Sequence, residues 1–424
     1  MIRKVVVGIS GGVDSAVAGF LLKQKGFDVC GVFLKNWDLV DETGYCSAEQ
    51  DWEDAQYVCD KLQIPIQRFD FVKQYWTDVF ENTLKEYQNG QTPNPDVYCN
   101  KYIKFGAFYR HIKENLAADA IATGHYARTS FGPFLEDFQL NQCVKLLQAV
   151  DRRKDQTFFL SQIPQDALRY TMFPVGSMMK SEVKRLAHKI GLEQIAQKRE
   201  STGICFIGKR KFSDFIADYV DPQPGDFVNI ETGEIVAKHQ GIHNYTVGQK
   251  ILLGGQEEAL FTVRKMCDNK TILVAPGTNH PRLFSNLFYT EKPHWIDRSP
   301  FNGSRGVMRA EFRFQHGHKL VVCEFVEING QGGGLLVKLN NPVRAICPGQ
   351  FAVFYKENEC LGSAKIRATG PYVRYTSNEQ SNQSDSSDED VETTLPKRVK
   401  EELGMKKKYT ERDREKVNKE ERAS

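Results

Sequence analysis

No two of the ten cysteines form a CxxC pair, and none of their spacings makes a zinc signature. They stand at 30, 46, 59, 99, 143, 205, 267, 323, 347 and 360. In a chain of 424 residues this scatter does not make a secreted disulfide framework, so most read as reduced, buried small hydrophobes. No apolar run approaches the roughly 18 residues that a membrane span requires. Neither a secretory signal nor an Arg- and Ser-rich presequence is visible, because the first apolar stretch begins at Val5 and the first motif at Gly8. The formal charge is only +3, so a nucleic-acid surface would have to come from local basic clusters. What remains is ordinary for a globular chain of two or three domains, with 40% hydrophobic and 26% charged residues.

The first 200 residues alternate between strand and helix patterns. Val5–Ile9 is a short β-branched run of the kind that fills a buried parallel strand. Val13–Gln24 has helical spacing, Asp28–Leu34 reads as a second strand and Ala48–Leu62 as a second helix. Ile66–Phe71 and Asp119–Gly124 supply two more strands. This pattern predicts an α/β fold with an open parallel sheet. From about Phe206 the texture changes to short β runs punctuated by Gly, Pro and Asn: FVNI, IVAKH, LFTVRKM, TILVAP, VMRAEFRFQH, LVVCEFVEI, GLLVKL and QFAVFYKE. They predict two small β-rich domains with a boundary near His280 and Pro281. The expected division is 1–205, 206–281, 282–372 and a charged, disordered tail over 373–424.

Gly8, Ile9, Ser10, Gly11, Gly12, Val13, Asp14 and Ser15 lie between the first strand and the first helix. Glycines there let backbone N–H groups approach an anion, and the helix N-terminus adds its dipole. The segment lacks the lysine of GxxxxGK[ST] and is not GxGxxG. Thr92–Lys101 (TPNPDVYCNK) reads as a loop stiffened by Pro93 and Pro95, holding Asp96 and Cys99 at fixed positions. Lys101 and Lys104 are close enough in sequence to favour a thiolate at Cys99. A second cysteine, Cys205, sits in STGICF with Lys198, Arg199, Lys209, Arg210 and Lys211 around it. Cys30 and Cys59 fall on apolar strand and helix faces and read as plain burial.

The SGGVDS segment resembles the PP-loop of the ATP pyrophosphatases. Together with TPNPDVYCN, ATGHYAR (Ala122–Arg128), KDQTFFL (Lys154–Leu160) and STGICFIG, in that order, it resembles the tRNA-specific 2-thiouridylases over about residues 3–370. FPVG, HQG and TVGQ, starting at Phe173, His239 and Thr246, belong to the same pattern. The resemblance implies that ATP, with Mg²⁺, activates the C2 oxygen of a tRNA wobble uridine and that a cysteine persulfide replaces that oxygen with sulfur. Cys205 would carry the persulfide, Cys99 would end paired with it in a disulfide, and Asp96 would act as acid or base. Residues 8–15, Leu34 and Gly124 would hold the nucleotide. Asn94, Pro95, Asp96, His125, Lys154, Asp155, Gln156, Arg313, Phe314 and Gln350 would meet the tRNA. Phe314 stands where the family often has tyrosine, and a plain barrel side chain is the competing reading of it. A protein that donates persulfide sulfur is an implied partner, and a membrane is not. KNWD and ATGHYARTS resemble the mitochondrial branch of the family. A small-molecule PP-loop synthetase and a noncatalytic RNA-binding module are the alternatives.

Overall fold

A computed structural model describes residues 2–37, 47–198, 212–255, 258–301, 306–328 and 333–370. The first strands are β1 (Lys4–Gly8), β2 (Asp28–Lys35), β3 (Ile66–Asp70) and β4 (Ala120–Ala122). Next come β5 (Ala127–Thr129), β6 (Leu146–Gln148) and β7 (Thr171–Met172). Five of these form a parallel sheet in the order β3-β2-β1-β4-β7. Val5, Val6 and Val7 are wholly buried, as a strand covered on both faces requires. Helices α1 (Val13–Gln24) and α2 (Ser47–Leu62) make the first two crossovers. The chain runs outward through β1, β2 and β3, then returns to β4 on the other side of β1. The crevice between the carboxyl ends of β1 and β4 is therefore the topological switch point, where such sheets bind ligands.

The predicted first sheet is present, with ends displaced by a residue or so. The exception is Asp119–Gly124, where only Ala120–Ala122 is strand and Thr123 and Gly124 turn away. Cys59 is buried on α2 as expected, and burial pushes its thiol up to about 12.

A second sheet contains β8 (Gly225–Asn229), β9 (Ile235–His239), β10 (Lys250–Ile251), β11 (Leu260–Met266) and β12 (Thr271–Pro276). Beyond it lie β13 (Phe284–Thr290), β14 (His294–Trp295), β15 (Met308–Arg313), β16 (Val321–Glu327), β17 (Leu335–Arg344), β18 (Phe351–Lys356) and β19 (Glu359–Thr369). Because β13 pairs with both β17 and β19, six of these strands close into a barrel. Closure removes sheet edges that would otherwise have to be covered. The hairpin β5–β6 leaves the first sheet and adds to this one, with Leu147 opposite Glu359 and Leu146 opposite Cys360. Phe351, Val353, Tyr355 and Cys360 accordingly share a core with the parallel-sheet part of the chain. The charged tail lies outside the described residues. No described helix is long and apolar enough to cross a membrane.

Candidate active site

β1 ends at Gly8 and α1 starts at Val13, so the intervening residues must turn at the switch point. Gly11 has φ +72, in the left-handed region, and a Cβ there would lie 2.6 Å from the Asp51 carbonyl oxygen. Ser15 Oγ ties the turn together, accepting from the Ser10 N–H at 3.1 Å and donating to the Gly12 carbonyl at 2.9 Å. Gly12 caps α1 without a side-chain bond. The helix start therefore offers its backbone donors and its dipole to an anion.

Asp14 projects from the first turn of α1 and receives three hydrogen bonds. Lys180 Nζ donates to both carboxylate oxygens at 2.7 and 2.8 Å, and the Tyr126 hydroxyl donates at 2.9 Å. Lys180 opens the helix Lys180–Lys189, where its own N–H is held by Asp151 at 3.0 Å. Gly124 backs onto the same turn: a Cβ there would stand 2.5 Å from the Ser15 nitrogen, so no side chain fits. Leu34 lies half-buried near the carboxyl end of β2, opposite Phe69.

The segment carrying Cys99 is helical rather than the loop that its prolines suggested. Asn94 is extended and accepts the Val97 N–H on its side chain at 3.3 Å, with Pro95 in the first helical position. This is the Asn cap and N1 proline of a helix start. The short helix Pro95–Tyr98 runs directly into a π-helix over Cys99–Phe108. Cys99 is buried, 4% exposed. Asp96 lies three residues before it, and Asn100 Nδ2 donates to the Asp96 carbonyl at 2.9 Å. Burial raises the Asp96 carboxyl above its ordinary range, against the opposing pull of Lys104 and His316.

The two lysines near Cys99 have separate partners. Lys101 Nζ donates to Gln162 Oε1 at 3.0 Å on the barrel side, and burial lowers its pKa. Lys104 Nζ meets His125 Nε2 at 3.4 Å, while His125 Nδ1 meets Thr123 Oγ1 at 2.8 Å. Burial, then the Lys104 charge, holds His125 well below its ordinary pKa. The imidazole is neutral, so Nε2 accepts from the ammonium and Nδ1–H donates to Thr123.

The barrel holds this helix from the other side. The Thr92 N–H donates to the Pro348 carbonyl at 2.9 Å. Gln350 Nε2 donates to the Pro93 carbonyl and Gln350 Oε1 accepts from Asn94, both at 3.3 Å. Glu86 accepts from the Tyr98 hydroxyl at 2.6 Å and from Lys365 Nζ at 2.5 Å. Gln162 Nε2 donates to the Ser363 carbonyl and hydroxyl at 3.0 and 2.9 Å.

Several residues expected at the tRNA prove to be internal. Asp155 and Arg313 are 1% and 5% exposed and form an ion pair at 2.5 Å. Arg313 also donates to the Tyr355 hydroxyl from Nε at 3.1 Å and Nη2 at 2.9 Å. Asp155 takes further bonds from the Ala149 N–H and the Thr157 hydroxyl, at 3.0 and 2.8 Å. Each charge is satisfied internally, which is what permits both to leave water. Phe314 is 1% exposed and packs near Phe312 and His318, which is the barrel-side-chain alternative. His125 is likewise buried, and Gln156 Oε1 accepts the Tyr126 N–H at 2.9 Å. Gln350 faces the Asn94 turn. Lys154 and Gln156 are half-buried, and Lys154 adjoins exposed Arg152 and Arg153.

Cys205 and the basic residues 199 and 209–211 lie outside the described residues, as does the distance between Cys99 and Cys205. Lys180, Tyr126 and His316 are not among the residues to which the motifs pointed. Tyr126 lies inside the ATGHYAR motif. Lys180 lies seven residues after the start of FPVG and carried no signal of its own. Among the described residues, no three His, Cys, Asp or Glu side chains gather into a metal site.

A family profile described as tRNA methyl transferase HUP domain matches residues 3–209. Profiles described as tRNA methyl transferase PRC-barrel domain and aminomethyltransferase beta-barrel domain match 213–276 and 285–366. The chain is 48% identical over 373 residues to mitochondrial tRNA-specific 2-thiouridylase 1 of Drosophila melanogaster, covering 88% of this chain and 95% of that protein. It is 48% identical over 387 residues to the Homo sapiens protein of the same name, covering 87% and 91%. The tRNA-specific 2-thiouridylase MnmA of Proteus mirabilis is 42% identical over 370 residues, covering 86% and 97%.

Proposed function

The chain belongs to the tRNA-specific 2-thiouridylase family, and from that premise we propose how its residues divide the work of an ATP-dependent tRNA-uridine 2-sulfurtransferase acting in mitochondria. The activity and the compartment follow the relatives' names. One observation supports the residue assignments. The loop Thr123–His125 touches both halves of the site, because Gly124 backs onto Asp14–Ser15 and His125 meets Lys104 on the Cys99 helix. A nucleotide on residues 8–15 and a base near Asp96 and Cys99 would then lie on either side of one rigid turn.

In the first step the C2 oxygen of the wobble uridine attacks the α-phosphorus of ATP, pyrophosphate leaves, and AMP remains on that oxygen. A urea-like carbonyl is a poor electrophile until its oxygen can leave in this way. Backbone donors of residues 8–15 hold the phosphates, and Lys180 can exchange Asp14 for phosphate oxygen. Asp14 would then be the carboxylate available to hold Mg²⁺, an ion that binds through one or two carboxylates and substrate phosphates. The cation would supply charge neutralisation for the leaving pyrophosphate.

In the second step the outer sulfur of a Cys205 persulfide bonds to C2. Cys99 attacks the inner sulfur, so the sulfur–sulfur bond of the persulfide breaks as AMP leaves and a Cys99–Cys205 disulfide forms. Two external thiol groups, themselves joined to a disulfide, supply the two electrons that reopen it. The outer sulfur comes from a persulfide-donating protein. Reaching C2 requires an unstacked base, which an anticodon loop provides. Lys154, with Arg152 and Arg153, is the described basic surface for the tRNA backbone.

The test is to incubate the protein with tRNA, ATP, Mg²⁺ and a persulfide donor and to quantify 2-thiouridine by mass spectrometry. Cys99→Ser and Cys205→Ser should each abolish the product while pyrophosphate release persists. Full thiolation by both variants would sink the two-cysteine mechanism, whereas loss of pyrophosphate release in Asp14→Ala supports the nucleotide site.

A further inference from the structure

Cys99 stands in its helical segment between two residues tied to the barrel, Tyr98 and Lys101. The Tyr98 hydroxyl donates to Glu86 Oε1 at 2.6 Å, and Lys365 Nζ of β19 donates to the same oxygen at 2.5 Å. Lys365 Nζ also lies over the Tyr98 ring, 5.7 Å from its centroid, and Phe351 of β18 meets that ring edge-on, with centroids 5.7 Å apart. Lys101 reaches the same strand through Gln162, which accepts from Lys101 Nζ and donates to Ser363. Ser363 and Lys365 are two positions apart on β19, so they project from one face of it. One face of one barrel strand therefore holds the helix on both sides of the cysteine.

Dense packing does not do this. A cavity of about 300 Å³ opens between the helix and the barrel, lined by Glu86, Tyr98, Lys101, Gln162, Phe351 and Lys365 among others. Beside such a gap, position is carried by polar contacts, which are directional in a way that apolar contact is not. The Glu86 and Lys365 side chains are each 13% exposed, so water competes weakly for their pairing. Burial, and then the Glu86 charge, raise the Tyr98 phenol above its ordinary pKa, so it stays a donor. Among the described residues no other side chain donates to the Glu86 carboxylate, whose Oε2 is buried without a partner.

We propose that Lys365 is a positioning residue for Cys99: through Glu86 it holds Tyr98, the residue before the cysteine, so that strand β19 of the barrel sets where Cys99 stands. This rests on the reading that Cys99 acts in sulfur transfer. Lys365 itself touches no reacting atom. The nucleotide is assigned to residues 8–15 with Lys180, none of which belongs to this bridge, so its loss bears on sulfur transfer more than on adenylation. A displacement of about 1 Å at a reacting group can cost about a hundredfold in rate. The helix keeps its ties to Gln350 and, through Gln162, to Ser363, so a smaller loss is expected from Lys365 alone.

The experiment has two readouts on the full chain. The first needs no tRNA: iodoacetamide alkylation of each cysteine is followed by peptide mapping under native conditions. Lys365→Met should speed alkylation of Cys99 about fivefold by local opening of its helix. Cys59, buried in the same core, should be unaffected. An unchanged Cys99 rate overturns the proposal, and so does an equal rise at Cys59, which marks general loosening. The second readout supplies tRNA, ATP, Mg²⁺ and a persulfide donor. At saturating tRNA, Lys365→Met should slow 2-thiouridine formation about tenfold while pyrophosphate release falls less than about twofold. Lys365→Arg, which keeps a cation for Glu86, should recover most of both readouts. Normal thiolation at saturating tRNA with weakened tRNA affinity would overturn the proposal, since that marks a phosphate contact. Cys99→Ser separates the two levels: full thiolation by that variant removes the underlying role of Cys99, whatever Lys365→Met does to the alkylation rate.

Discussion

Replacing Arg313 by methionine tests whether the barrel is structurally fused to the catalytic part of the chain or serves there as a tRNA contact. Arg313 sits at the end of β15, nearly sealed from water, with Nη2 2.5 Å from Asp155 and two bonds to the Tyr355 hydroxyl. Removing one partner of a buried pair costs about 3–5 kcal/mol, because a charge is left without its counterpart. Asp155 keeps the Ala149 N–H and the Thr157 hydroxyl, so the lower end, about 3 kcal/mol, is expected. At about 2–4 °C per kcal/mol for larger chains, the melting transition should fall by roughly 6–12 °C. Calorimetry of Arg313→Met, Asp155→Asn and the double variant gives the coupling directly. The double variant should be less damaged than the two singles added together, by about 1–3 kcal/mol. Strict additivity, or unchanged melting with a large loss of tRNA affinity, would refute the structural reading and return Arg313 to the tRNA surface.

Three other outcomes follow from the geometry. Lys180→Met should slow pyrophosphate release about a hundredfold in a coupled phosphate assay while tRNA binding persists, since it removes a cation aimed at the phosphate site. Asp96→Asn should raise the melting temperature at neutral pH although it is inactive. The folded carboxyl is raised, so its favourable contribution is complete below the ordinary carboxylate range and is lost as pH rises through the raised value; the advantage of Asn should therefore shrink in acid, as scanning calorimetry at several pH values will show. Asn94→Ala should cost about 1 kcal/mol in denaturant unfolding by uncapping the helix of Asp96 and Cys99, and Asn94→Ser should recover most of it.

Local signals were strong where the physics is local. β-branched runs such as Val5–Val7 define buried parallel strands, and the glycines of residues 8–15 permit a tight turn into α1. The Asn94–Pro95 pair also announced a helix start, yet two prolines made the segment resemble a stiff loop. The eight predicted β runs omitted β13 and β19. In β19 the alternation is interrupted by Gly362, whose φ of +140 and lack of Cβ let His294 pair closely against the strand. A glycine that serves a neighbouring strand looks, in sequence, like a break.

The sequence by itself therefore determined the parallel sheet, the phosphate turn and the ordered motifs that imply a tRNA thiolation enzyme, because each depends on residues adjacent along the chain. Tertiary structure alone decided that Asp155 and Arg313 pair with each other inside the chain, and that Gln350 holds the Asn94 turn. It also decided that Lys101 and Lys104 serve opposite sides of one helix. Those outcomes depend on pairings between residues up to 257 positions apart and on which charges lose access to water. Whether a polar side chain meets a ligand or a distant partner of its own chain is set by burial, and burial is fixed only when the whole chain has packed.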